Sequence, residues 1–126
     1  MGVRSRAGTT TLWSTGDDPE SLEGYANVLD KAALVLREAF GTGESFDDGF
    51  IYHAAVGSFL PNRFGLFDMH GNVEELCRNS TRSETYLRGG SFYHPAWRAR
   101  SSFRFANNAE FFAFYIGVRA SREIQQ

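Results

Sequence analysis

The stretch "NRFGLFDMHGNVEELC", residues 62–77, decides how the chain is read. Two apolar runs flank a Gly71–Asn72 turn, and two acids, Asp68 and Glu75, stand where a core would want none. In extended backbone, alternate carbonyls and side chains share a face. If residues 71–75 are extended, the carbonyls of Gly71 and Val73 and the carboxylate of Glu75 converge, and Asp68 can reach them across the turn. Mixed carbonyl and carboxylate oxygens suit a hard cation such as Ca²⁺. Spacing alone favours a plainer reading, with Asp68 capping a turn and Glu75 in water. A second set of oxygen ligands, Asn27 and Val28 in "YANV" with Asp48 and Phe50 in "DDGF", is too far apart in sequence for spacing to join it.

The bulk properties bound the problem. At 126 residues, with 42% hydrophobic and 22% charged, the chain is expected to form one globular domain over 1–126. Aromatics reach 15%, and thirteen glycines imply many turns. A net charge of −2 supplies no field for nucleic acid or an anionic membrane. The single cysteine, Cys77, excludes an internal disulfide. "MGVRSRAG" has no apolar signal region and no run is long enough to span a bilayer, so a cytoplasmic location is the default expectation.

Along the chain, "AGTTTLW" reads as a short strand. "TGDDPESLEGY" carries a helix start, with Asp18 as N-cap and Pro19 at the first helical position; Gly24 limits it to a turn or two. Apolar residues at 29, 32, 33, 36 and 40 predict a helix ending at Gly41. "FIYHAAVGSF" reads as a strand, and so do "NVEELC", "YLRGGSF", "ARSSFRF" and "YIGVRAS". The expected class is α+β, loop-rich, with short antiparallel strands and one or two helices. Long loops in a compact domain need a reason, and a bound metal is one.

Taken in order, "RAGTTT", "GDDPESLEGYANV", "AAVGSFLPNRFGLFDMHGNVEELC", "LRGGSF" and "IGVRAS" resemble the formylglycine-generating enzyme family, the sulfatase-modifying factor domains, whose fold is C-type-lectin-like. The resemblance runs from about residue 5 to residue 120. It implies two structural calcium ions, one at Asn27, Val28, Asp48 and Phe50, the other at Asp68, Gly71, Val73 and Glu75. Ligand charge tunes calcium affinity. With two carboxylates against one, the second site is expected to hold its ion more tightly.

Catalysis is where the resemblance fails. The family's enzymes oxidise a substrate cysteine using O₂ and a copper ion held by two cysteines after the GGS motif. Soft Cu(I) demands such thiolates. Here the segment reads "GGSFYHPAWRARSSFRF", and the matching positions are His94 and Ala99, so neither copper nor formylglycine formation is expected. Cys77 reads as a small core residue. Family domains also carry a sizeable region before "RAGTTT", so the chain looks N-terminally short, and self-association or a partner chain would complete the fold. Glu74 and Leu76 stand where the family has tryptophans; a buried Glu74 must find an arginine or face solvent.

The expected function is a non-catalytic, calcium-stabilised binding or structural domain. Its candidate ligand face lies on loops 92–115, with Tyr93, His94, Trp97, Arg98, Asn107, Asn108 and Glu110, and its ligand would be a protein or a small molecule. Against that face stands the reading that Phe103, Phe105, Phe112 and Phe114 are core. The alternative function is a divergent oxidoreductase acting on a thiol substrate with a missing segment or partner.

Overall fold

In the computed structural model, residues 2–36, 42–78, 84–108 and 110–120 are described. Helix α1 spans Gly2–Arg6. It stops where Ala7 and Gly8 turn to φ 50° and 85°, the left-handed region that ends helices. Residues 9–13 form no strand; Trp13 instead closes a tight bridge with Gly16 and donates its indole N–H to the Ala96 carbonyl at 3.0 Å.

The Asp18–Pro19 signal is realised as one short 3₁₀ turn, Pro19–Leu22, with the Asp18 carboxylate accepting the Glu20 N–H at 3.0 Å. The helix expected from residue 29 is not formed over the described part. Only Leu34–Leu36 makes a 3₁₀ turn, and residues 37–41 lie outside the described residues. The reason is non-local bonding: Leu29 N–H goes to the His94 carbonyl, Lys31 N–H to that of Phe46, and the Asp30 carboxylate takes the Ala32 N–H. Residues 51–59 are irregular too. There the Asn72 amide binds both the N–H and the carbonyl of Ala54, doing for one residue what a neighbouring strand would do.

Among the described residues four short strands make one mixed sheet: β1 (Glu74–Arg78), β2 (Thr85–Arg88), β3 (Phe105–Asn107) and β4 (Ile116–Gly117), in the order β3-β2-β1-β4. The first three run antiparallel, with Leu76 opposite Leu87 and Tyr86 opposite Ala106; β4 is parallel to β1, which the sequence reading did not foresee. A buried core cluster gathers Trp13, Leu22, Ala26, Val28, Phe46, Ala96 and Ala99. Truncating an aromatic as buried as Trp13 (2% exposed) costs about 3–5 kcal/mol. Among the described residues no helix is long and apolar enough to cross a membrane.

The candidate cation sites and the aromatic face

The opening turn is the hinge of the molecule. Gly71 sits at φ 78° and pairs with Asn27 as an isolated bridge. A Cβ there would lie 2.2 Å from the Asn27 carbonyl oxygen, so nothing larger than glycine fits. Asn72 follows at φ 65°, its N–H bonded to that same carbonyl at 2.7 Å. This juxtaposition places the two candidate cation clusters side by side.

In the first cluster, the chain brings together residues far apart in sequence. Asp48 accepts the Val28 N–H at 3.0 Å through Oδ2 and the Phe50 N–H at 2.8 Å through Oδ1. Burial, then the neighbouring Asp30, pushes the Asp48 carboxyl up to about 7. Asn27 is 1% exposed; its Nδ2 donates to the Tyr52 carbonyl (2.9 Å) and Asn72 Oδ1 (3.2 Å). Both partners are acceptors, which fixes the amide orientation. Its Oδ1 is left buried with no hydrogen bond among the described residues. A buried, unpartnered amide oxygen beside a carboxylate that burial disfavours as an anion is what a hard cation would satisfy. The residues present therefore fit calcium.

The second cluster is arranged differently. Asp68, at φ 54°, accepts the Gly57 N–H at 2.8 Å through Oδ2. Glu75 is 8% exposed and meets the Arg119 guanidinium at 2.7 Å. Burial raises the Glu75 carboxyl, and Arg119 opposes that shift. The same guanidinium donates through Nη2 to the carbonyls of Asp68 (2.9 Å) and Phe67 (3.1 Å). A groove of about 470 Å³, lined partly by Arg4, Arg78 and Arg119, opens on the pair. Among the described residues no group of three or more His, Cys, Asp or Glu assembles for a metal, so any cation must lean on amide and carbonyl oxygens.

Glu74, alternate to Glu75 on β1, turns inward and is fully buried. It finds an arginine, as burial requires: Arg98 Nη2 lies 3.1 Å from Glu74 Oε1, although neither Glu74 oxygen has an aligned hydrogen bond among the described residues. His94 Nδ1 is 3.6 Å from the same oxygen and 2.8 Å from Ser91 Oγ. Burial, with the Arg98 charge, lowers the His94 pKa to about 4. At 1% exposure, His94 belongs to the interior and not to a ligand face. Ala99, the other copper-matching position, packs against Gly90 in the core. Cys77 lies half-buried on β1, and burial raises its thiol.

Of the four rings that strand alternation would bury, Phe105, Phe112 and Phe114 are 53–87% exposed and Phe103 is half-buried against Trp97; Trp97 and Phe111 are each 50% exposed. Arg98 lies 5.4 Å from the rings of both Phe103 and Phe105, turning from Glu74 toward the surface. Tyr93 is half-buried and stacks on Tyr115 at 5.4 Å. Asn107 is half-buried on β3, whereas Asn108 and Glu110 are exposed in an Asx turn closed at 3.1 Å.

The profile of the sulfatase-modifying factor enzyme 1-like domain matches residues 3–124. The chain belongs to that family. Three solved structures share its fold: PvdO from Pseudomonas aeruginosa (25% identity, TM-score 0.69, 93% of this chain and 47% of that one); variable protein 1 of Treponema denticola (22%, 0.67, 90% and 41%); and CarF (20%, 0.58, 93% and 42%). The chain thus spans less than half the length of each of these relatives. No curated protein matches it. The sulfatase-modifying factor domain explains why so much backbone is irregular and why the sheet is small. Sequence reasoning missed two participants, Asp30 and Arg119. Asp30 stands alternate to Val28, which is a signal; Arg119 gave none, since only the fold brings it to Glu75.

Proposed function

We propose that this sulfatase-modifying factor domain is a non-catalytic, calcium-stabilised binding domain that meets a protein partner on the aromatic face from Trp97 to Phe114. The observation that carries the reading is the exposure of Trp97 (50%), Phe105 (53%), Phe112 (87%) and Phe114 (57%) together on that segment. Rings with few rotatable bonds supply contact area at low entropic cost, and the exposed Arg104 adds directional donors. Calcium, when bound, would neutralise buried carboxylates and pin the loops beneath the face. Asn27, Val28, Asp48 and Phe50 would hold it through amide, carbonyl and carboxylate oxygens.

Support for a non-catalytic role comes from the copper-matching positions. His94 is a buried imidazole hydrogen-bonded to Ser91, and Ala99 has no donor. Selection from a displayed peptide library tests the reading. Enriched clones are expected to bind the wild type and to lose binding to a Trp97→Ala/Phe112→Ala variant. Clones indifferent to both substitutions would overturn the face. Copper-dependent O₂ uptake with a thiol substrate would overturn the non-catalytic half.

A further inference from the structure

The two cation clusters are unequal, in the reverse of the order that ligand counting gives. Asp30 is fully buried and was not among the ligands expected from the sequence. Its Oδ2 takes the backbone N–H of Asp48, and its Oδ1 takes the Ala32 N–H at 2.9 Å. Asp30 and Asp48 are thus neighbours in space, the carboxylate of one holding the backbone N–H of the other. Two carboxylates at one buried point repel unless a proton or a cation lies between them. A separate feature points to a cation: the buried Asn27 Oδ1, with the other end of its amide fully engaged, has no donor among the described residues.

At the second cluster a cation is already present. The Arg119 guanidinium donates to the Glu75 carboxylate and to the carbonyls of Asp68 and Phe67. Its three contacts set it in place as a planar fork, which a point charge on a flexible stem could not copy. Asp68 and Glu75 carry two negative charges and Arg119 one positive, leaving a net −1, against −2 for Asp30 with Asp48. Ligand charge is a main lever on calcium affinity.

We infer that Asp30 is an added carboxylate of the first site and that Arg119 supplies the cation of the second, so that the chain binds one calcium ion and not two. The inference rests on the calcium-stabilised reading and refines it.

Equilibrium dialysis of the full chain against radiocalcium tests it, with near-ultraviolet dichroism confirming that each variant is folded. The wild type is expected to bind one ion per chain. Asp30→Asn, nearly isosteric, should weaken binding by about tenfold or more. Glu75→Gln should leave binding within about twofold, since its carboxylate serves Arg119 and not a metal. Two ions per chain, one of them lost in Glu75→Gln, would overturn the inference while leaving the calcium reading intact. One ion unaffected by Asp30→Asn would overturn the role of Asp30. No binding by the wild type would sink the calcium reading itself. The wild-type stoichiometry needs no variant, so a variant that fails to fold leaves the test standing.

Discussion

At the scale of single residues, the interior is organised by polar groups whose removal should cost more than an apolar truncation of similar size. Arg98 is the clearest. Deleting it leaves Glu74 fully buried and uncompensated, so Arg98→Ala should destabilise by about 3–5 kcal/mol in urea unfolding. A loss under about 1 kcal/mol would place the pair in the class of weak surface bridges. Gly71 and Gly24 form a matched pair: φ is 78° and 79°, but a Cβ at Gly71 meets Asn27 oxygen at 2.2 Å while at Gly24 nothing lies within 4 Å. Gly24→Ala should therefore cost only the left-handed penalty of about 1–2 kcal/mol, and Gly71→Ala should prevent folding. His94 supplies a pH dependence. Its native pKa, near 4, lies below the ordinary 6.5, so between those values the unfolded chain binds more protons. Stability should then rise with pH across that window and be lost as pH falls from 6.5 toward 4. Glu74, raised by burial, pulls the opposite way. The readout is thus the difference between wild type and His94→Gln, which should show the shallower fall in urea midpoint.

At the scale of elements, legibility followed whether bonding was local. The Asp18–Pro19 turn was readable because its cap acts on the next residues along the chain. The strands at "NVEELC" and "YLRGGSF" were readable because alternation and flanking glycines are local signals. The helix expected across 29–40 was not formed through 36, because Leu29 and Lys31 spend their N–H groups on the distant carbonyls of His94 and Phe46. The strand expected at "FIYHAAVGSF" failed because the Asn72 side chain takes the bonds of Ala54. An element-scale prediction follows from Asn72. Asn72→Ala should release the 51–59 segment, seen as faster amide exchange at Ala54 with β1 and β2 still protected. Unchanged exchange at Ala54 would contradict the role given to that amide. The candidate site was half legible: Val28, Asp48 and Phe50 come together next to Asn27, and Asp30 carried a signal in its alternation with Val28, but Arg119 depends on packing that no spacing announces.

At the scale of the molecule, a family domain spanning less than half of PvdO or CarF is held, among the described residues, by a small sheet, a compact apolar cluster and buried polar groups. A domain of this size buries modest apolar area, and a ligand that binds only the folded state would add to its stability by mass action. Chelation should lower its melting temperature, and added calcium should restore it, with the gain growing as RT ln(1 + [Ca²⁺]/Kd). Glu75→Ala should lower the melting temperature by freeing Arg119 yet keep the calcium response, whereas Asp48→Asn should abolish that response. The measurement that bears most directly on the account is the metal content of the purified chain by elemental mass spectrometry. One calcium per chain with copper at background is the expected result. Calcium at background, or copper or iron approaching one per chain, would contradict it.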